Sequence, residues 1–240
     1  MGLFKKDFGI ILACDIKASG TLKDLVRETA DLDFIQGYKI GIINIFSIGL
    51  HETIEIIKKY SSLPIIYDHQ KFGTDIPEVC GGKVLKKIKD AGMDGLVIFP
   101  QAGIETLRST VNGCYSVGLV PMVGGEMTHK GYLVKEGGYI GDNAPNRIYI
   151  DAASCGVDYF IIPGTKIDQM KNYKTILEER VKSPKFLFPG IGSGQGGDIK
   201  KAFGAVKPHN SYAIIGRGIY ATQHKRMSAL ELWKEVENLQ

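Results

Sequence analysis

Short apolar runs alternate with longer amphipathic stretches along the chain, and this alternation restricts the fold more than any other feature of the sequence. Eight of the apolar runs have the length and the branched or aromatic content of buried strands. Glycine, proline, aspartate or serine marks most of the joins. Strands are predicted at residues 9–14, 34–40, 64–67, 95–99, 119–123, 159–162, 185–188 and 212–215.

The stretches between these runs have the periodicity of helices. Ser19 or Thr21 could cap the first helix, and Gly92, Gly118 and Gly156 are placed to end the third, fourth and fifth. Helices are predicted at residues 21–29, 44–60, 78–91, 104–117, 144–155, 166–180, 198–205 and 228–238.

Strands that alternate with helices indicate parallel strands joined by right-handed crossovers. Eight such units that close on themselves form an α/β fold of the (β/α)8 TIM barrel type. The 240 residues suit one barrel domain over residues 1–240. An open, doubly wound sheet is the alternative. In both folds, functional side chains are expected where the strands end.

The composition argues against several other classes of protein. The formal net charge of +4 is small and the lysines are spread over predicted helices, so no nucleic-acid partner is expected. Cys14, Cys80, Cys114 and Cys155 form no zinc-type pattern, and we expect reduced thiols. No signal peptide precedes Gly9, and no apolar run approaches the ~20 residues that span a bilayer. A cytoplasmic protein without a membrane partner is therefore predicted.

Charged residues follow the first three predicted strands. Asp15 and Lys39 lie at the ends of the first two, and Asp68, Lys71 and Asp75 follow the third. Unpaired buried charges cost several kcal/mol each, so these groups should pair with one another or serve a function. One interpretation is a structural ion-pair network. The other is a catalytic site, in which neighbouring carboxylates keep Lys71 protonated and able to deliver a proton.

A glycine-rich segment follows the seventh strand, and a Gly-Arg pair follows the eighth. The glycines let backbone N–H groups approach an anion, while Gln195 could add an amide donor and Arg217 a guanidinium. TIM barrels often bind phosphate between these two loops. The segment is in the wrong place for a dinucleotide fingerprint, so a phosphorylated small molecule is predicted. Turn glycines and a surface ion pair of Arg217 are the simpler alternative.

Distinctive short segments lie at the ends of most of the predicted strands. They are Ala13-Cys14-Asp15, Tyr38-Lys39-Ile40-Gly41, Asp68…Lys71…Asp75-Ile76-Pro77, Glu126-Met127-Thr128-His129-Lys130-Gly131, Pro163-Gly164-Thr165, Pro189-Gly190-Ile191-Gly192 with Gln195-Gly196-Gly197, and Gly216-Arg217. Taken together, these segments resemble those of the orotidine 5′-phosphate decarboxylase family, in the family's order and over nearly the whole chain. This resemblance implies a TIM barrel that decarboxylates orotidine 5′-monophosphate to uridine 5′-monophosphate (UMP), the last step of pyrimidine nucleotide synthesis, without a cofactor or metal.

The resemblance also implies a role for each site residue. Lys71 would protonate C6 of the pyrimidine as carbon dioxide leaves, Asp68 would lie beside the departing carboxylate, and Lys39 would orient Asp68 and contact the ribose. Asp75 would reach into the site of a partner subunit, which makes the enzyme a homodimer. The positions that would bind substrate are Asp15, Thr128, Pro189, Gln195, Gly196, Gly216 and Arg217.

The central motif departs from the family pattern. The family's Asp-x-Lys-x-x-Asp is here Asp68-x-x-Lys71-x-x-x-Asp75, with one extra residue in each interval. Residues three apart on a strand point to opposite faces. Asp68 and Lys71 therefore converge only if the chain bulges at His69 or Gln70, or if the strand ends at Asp68.

Other departures affect single contacts. Val79 stands where the family often has a threonine at the dimer contact, and the phosphate loop has one extra residue between Gly192 and Gln195. His69 and His129 are interpreted as loop residues that form ordinary hydrogen bonds or support the loop, although His69 could act as an acid or base.

Two alternative functions remain open at this stage. Hexulose-phosphate synthases and keto-gulonate-phosphate decarboxylases share the barrel and a related acidic motif, but use a divalent metal bound by carboxylate oxygens and water. A catalytically silent protein that binds nucleotide phosphates is the other alternative, if the altered motif no longer converges.

Overall fold

Eight parallel strands close into a barrel in the computed structural model, which describes residues 2–69, 72–192 and 196–239. Each strand pairs with the next in the sequence, and β1 also pairs with β8 from Phe8 opposite Ser211 to Leu12 opposite Ile215. This last pairing closes the sheet. The TIM barrel prediction is therefore confirmed, and the open-sheet alternative is wrong.

The strands begin and end within one residue of their predicted positions. Their interiors are apolar and buried, which is why the sequence pattern located them well. They are β1 Phe8–Ala13, β2 Ile35–Gly41, β3 Ile65–Asp68, β4 Gly95–Ile98, β5 Val120–Gly124, β6 Tyr159–Ile161, β7 Lys185–Pro189 and β8 Ser211–Ile215.

The helices match the predicted stretches with a few differences. Their bounds are α1 Ser19–Thr29, α2 Ile42–Ser47, α3 Leu50–Tyr60, α4 Pro77–Cys80, α5 Lys83–Ala91, α6 Ile104–Val117, α7 Ala144–Ser154, α8 Ile167–Glu178, α9 Ile199–Val206, α10 Arg217–Tyr220 and α11 Lys225–Lys234, with 3-10 turns at Val134–Glu136 and Glu237–Leu239.

Two predicted helices are each divided in two by glycine. Residues 44–60 are interrupted before α3 at Gly49, whose φ is 98°, and residues 78–91 are interrupted before α5 at Gly82, whose φ is 55°. Left-handed backbone of this kind does not continue a right-handed helix. The predicted cap of α1 is also wrong. The helix already includes Ser19, whose hydroxyl donates to Glu52 of α3 at 2.6 Å instead of capping.

The barrel interior is closed at its amino-terminal end by the N-terminal segment. Phe4 is buried, with its ring centroid 4.3 Å from that of Tyr212 and 5.7 Å from that of Tyr159. The backbone N–H of Leu3 donates to the Tyr159 hydroxyl at 2.8 Å. The carboxyl end of the barrel is left as the open end.

Within the described residues, no helix is both long enough and apolar enough to cross a lipid bilayer.

Candidate active site

Lys39 lies at the centre of the site, next to the carboxylates of Asp15 and Asp68. Its Nζ is 2.7 Å from Oδ2 of Asp68 and 3.8 Å from Oδ1 of Asp15, and the residue is only 8% exposed. Burial alone would lower the pKa of Lys39, but the two negative charges and the hydrogen bond to Asp68 outweigh burial and raise the pKa above its ordinary value. The lysine is therefore held as an ammonium.

Strand register brings these charges together. Gly41 of β2 lies opposite Asp68 of β3, so the carboxyl ends of the two strands are level. Tyr38 and Ile40 pack in the layer between the strands and the helices. Because side chains alternate along a strand, Lys39 between them faces the barrel interior.

Asn44 fastens the loops that follow β1 and β2 to each other. Its buried side-chain amide donates to the carbonyl oxygens of Cys14 and Ile16, and its Oδ1 accepts from the N–H of Gly41 at 3.0 Å. Asp15 lies between the two bonded carbonyls in sequence. One amide therefore fixes the backbone that carries Asp15 relative to the end of β2.

β3 ends at Asp68. This is one of the two conditions under which the side chains of Asp68 and Lys71 were expected to converge. His69 lies beyond the strand, and its Nδ1 is 2.8 Å from the Tyr67 hydroxyl, in agreement with an ordinary hydrogen-bonding role. Oδ1 of Asp68 is buried and has no hydrogen-bond partner in the described part of the chain. Gln70 and Lys71 lie outside the described residues.

Asp75, the last residue of the motif, lies two residues before α4 begins at Pro77. Its Oδ1 accepts from the N–H of Ile76 at 2.8 Å, and its carbonyl oxygen accepts from the Thr106 hydroxyl at 2.9 Å. Neighbouring apolar side chains point outward: Ile76 is 57% and Val79 49% exposed. Asp75 is not among the described residues that line the cavity of its own chain.

A cavity of about 220 Å³ lies at the carboxyl end of the barrel. The charges described above form one part of its wall, and apolar side chains from the strands form its floor. The lining residues are Ala13, Asp15, Lys39, Asp68, Val97, Phe99, Glu126, Met127, Thr128, Ile161, Pro189, Ile191, Ile214, Gly216, Arg217, Gly218 and Tyr220.

The predicted phosphate loops form another part of this wall. Pro189 ends β7 and Gly216 follows β8, and both line the cavity. Arg217 begins the short helix α10, is exposed, and forms no ion pair with any residue that the structure describes. The alternative in which Arg217 pairs with a surface carboxylate therefore finds no support there. Gln195 lies outside the described residues.

The loop after β7 folds back on itself. The Gly197 N–H donates to the Gly190 carbonyl at 2.9 Å, and the Gly196 N–H donates to the Gly192 carbonyl at 3.1 Å. At Gly190 and Gly196 φ is 94° and 86°, a conformation that favours glycine. Gly196 is not part of the cavity lining, although its loop begins there.

The segment after β5 forms the remaining wall, with Met127 and Thr128 at the cavity. The carbonyl oxygen of Thr128 accepts from the Thr165 hydroxyl at 2.9 Å. Glu126 is 2% exposed and bonds to Lys166 at 2.7 Å and to the Tyr173 hydroxyl. This wall is thus anchored from beneath by a buried charge.

Several residues of the site were not singled out from the sequence. Tyr220 lines the cavity, and its position one turn after Gly216 was the available signal. The partners Lys166 and Tyr173 lie 40 and 47 residues from Glu126. Pairing over such a separation leaves no local pattern to read.

Comparison with known proteins gives one family for most of the chain. Residues 9–232 match the model of the orotidine 5′-phosphate decarboxylase / HUMPS family. The orotidine 5′-phosphate decarboxylase of Pyrococcus furiosus is 30% identical over 95% of this chain and 97% of its own length. That of Thermoplasma volcanium is 27% identical over 96% of this chain and 94% of its own.

Solved structures agree with the fold. Orotidine 5′-monophosphate decarboxylase of Methanocaldococcus jannaschii, complexed with the inhibitor BMP, superposes with a TM-score of 0.81 at 24% identity over 95% of this chain and 98% of that one. Orotidine 5′-phosphate decarboxylase of Pyrococcus horikoshii gives a TM-score of 0.76 at 23% identity over 95% and 99%. At this level of sequence identity, the superpositions support the barrel fold alone.

Proposed function

The chain belongs to the orotidine 5′-phosphate decarboxylase / HUMPS family, and on this premise we propose that it converts orotidine 5′-monophosphate to UMP and carbon dioxide. The observation that carries the proposal is the placement of a buried ammonium, Lys39, between Asp15 and Asp68 in the same cavity that Arg217 lines. A cavity of this kind offers carboxylates and an ammonium to a sugar ring and a guanidinium to a phosphate.

In the proposed reaction the bond between C6 and the carboxyl carbon breaks, and the electron pair stays on C6. Lys71 gives this carbon a proton as carbon dioxide leaves, and water later restores the lysine. A carbanion is stabilised most by a charge that is already in place in a site from which water is excluded. The buried Oδ1 of Asp68, without a partner among the described residues, supports a role beside the reacting group.

The remaining contacts divide between the ends of the substrate. Asp15 and Lys39 bind the ribose, and Thr128 binds the pyrimidine. Arg217 binds the phosphate at the other wall. Gln195, Gly196, Pro189 and Gly216 complete the phosphate end of the proposed site. Binding energy from the phosphate then holds the ring in place for reaction.

We also propose a homodimer in which Asp75 enters the partner's site. The support is an exposed apolar set beside this residue and after β2: Ile42, Ile43, Phe46, Ile76 and Val79. Phe46 is 82% exposed. Exposed apolar side chains grouped near a functional loop often mark an interface. Val79 would add apolar area there in place of a polar contact. The cytoplasmic location stays a prediction from the sequence.

The metal-dependent alternative is disfavoured by Lys39. Its ammonium already pairs with Asp68 and lies beside Asp15, so a divalent ion at the same oxygens would meet a like charge. Among the described residues, no cluster of three or more His, Cys, Asp or Glu side chains is arranged to hold a metal ion. Arg217 supports a phosphorylated substrate for either reaction and does not separate them.

The test is loss of orotate absorbance when the protein is mixed with orotidine 5′-monophosphate, with and without EDTA. We expect turnover at the same rate in both samples, and UMP as the product. Turnover that EDTA abolishes would favour the metal-dependent relatives. Tight binding of UMP with unchanged absorbance would select the silent binding protein instead.

A further inference from the structure

Glu126 carries a carboxylate that is almost completely removed from water. The residue is 2% exposed, its Oε1 accepts from Lys166 Nζ at 2.7 Å, and its Oε2 accepts from the Tyr173 hydroxyl. Burial of a carboxylate is unfavourable unless hydrogen bonds and an opposite charge compensate it. Both carboxylate oxygens are compensated here by residues of the β6–α8 region.

Lys166 has a second carboxylate partner further along the same loop. Its Nζ is 2.7 Å from Oε1 of Glu136, in the 3-10 turn Val134–Glu136. The hydrogen bond with Lys166 lowers the pKa of Glu136, which keeps that carboxylate charged. The same lysine therefore holds the start and the middle of the connection between β5 and α7.

Thr128 lies between these two fixed points and faces the cavity. Its carbonyl oxygen is bonded to Thr165, the residue before Lys166. A Cβ at Gly190 would come within 2.9 Å of Thr128 Cγ2, so the phosphate loop packs directly against this threonine. The position of Thr128 thus depends on the β6–α8 turn beneath it.

We propose that Lys166 is a positioning residue that fixes the Thr128 segment against the pyrimidine end of the substrate, through Glu126 and Glu136. The inference rests on the proposed function. Lys166 itself is not among the residues that line the cavity, so it acts through the two glutamates. Gly216 and Arg217 of the phosphate end follow β8, and among the described residues Lys166 has no hydrogen bond or ion pair with them. Lys166 should therefore affect recognition of the base much more than recognition of the phosphate.

The test is a comparison of two ligands that share a phosphorylated sugar and differ in the base. Affinities of UMP and of ribose 5-phosphate are measured by calorimetry for wild type and Lys166→Met. We expect UMP to bind about 10- to 100-fold more weakly and ribose 5-phosphate to change less than about twofold, since a misplaced recognition segment costs on this order. Lys166→Arg should recover part of the UMP affinity because it restores a cation.

Lys174→Met is the matched control. Lys174 lies on α8, the helix that begins directly after Lys166. At the protein surface, its Nζ is 3.2 Å from Oε2 of Glu178. It should leave both affinities unchanged. If Lys166→Met does not fold, Glu136→Gln removes only one of the two links and should weaken UMP selectively by a smaller factor.

The outcomes separate the inference from the function on which it rests. If Lys166→Met loses affinity equally for UMP and ribose 5-phosphate, or loses none for either ligand, the positioning role of Lys166 is overturned. Wild-type protein that binds ribose 5-phosphate but not UMP would instead overturn the proposed function.

Discussion

At the scale of the residue, Lys39 shows how neighbouring carboxylates compensate a buried positive charge. Two carboxylates raise its pKa although burial alone would lower it. In return, the ammonium lies within 3.8 Å of Asp15 and 2.7 Å of Asp68 and offsets part of the negative charge that the two carboxylates bring into a confined site. The group that organises the site is therefore also one that should leave a measurable signature in stability.

This signature is a loss of stability at alkaline pH. The folded pKa of Lys39 lies above its unfolded value of 10.5, so its stabilising effect is complete below that pH and is lost as the pH rises through the folded pKa. We expect the difference in unfolding free energy between wild type and Lys39→Met to shrink above pH 10.5 by up to about 1.4 kcal/mol per pH unit.

Urea titrations between about pH 9 and pH 11.5 measure this difference, and tyrosine ionisation cancels because both proteins contain the same tyrosines. A difference that stays constant over the whole range would mean that Lys39 gains nothing from its carboxylate neighbours.

The sequence could predict individual residues only where chemistry and strand ends coincide. Asp15, Lys39 and Asp68 were found because charges stand out at the end of apolar runs, and the structure brings them together. Lys166 looked like an ordinary first residue of a helix. Its importance comes from Glu126, which lies 40 residues away, and only the closed barrel puts the two side chains in contact.

At the scale of the element, strands were easier to predict than helices. Strand interiors are buried on both sides, so their apolar runs are continuous and their ends are sharp. Helix ends depend on local backbone choices. Gly49 and Gly82 interrupt stretches whose hydrophobic periodicity predicts one continuous helix each. The periodicity of side chains carries no information about the backbone φ at a glycine.

The short helix α10 was missed for a different reason. Arg217–Tyr220 has four residues, which is about one turn and too short for an amphipathic pattern. The Gly-Arg pair at its start was recognised from its chemistry alone. The sequence also could not decide whether the strand continues past Asp68 into the altered motif. The structure shows that β3 ends at Asp68, so the alternation of side chains along a strand does not apply to the residues that follow.

At the scale of the whole molecule, the two ends of the barrel have different tasks. Phe4 and its aromatic neighbours fill the amino-terminal end, while the carboxyl end carries the cavity and the segments after β2 and β3 that contain the exposed apolar residues. This division is typical of TIM barrels, in which stability and activity lie at opposite ends.

The apolar set predicts that the chain assembles through its carboxyl end. Phe46→Asp places a charge in the proposed interface and should shift the protein from dimer to monomer in sedimentation velocity, with loss of turnover because Asp75 no longer reaches a partner site. Met227→Asp is the control, since Met227 is also exposed, at 53%, but lies on α11. A Phe46→Asp protein that stays dimeric would place the interface elsewhere.

The central claim is that Lys71 delivers the proton that completes decarboxylation. The most direct test measures how fast Lys71→Ala turns over orotidine 5′-monophosphate, using the loss of orotate absorbance. UMP affinity is measured on the same protein. Lys87→Ala, at an exposed lysine, is the control. We predict that Lys71→Ala lowers kcat by at least about 10²-fold, the lower range for a general acid, while UMP affinity changes little. Near-normal turnover by Lys71→Ala would contradict the claim.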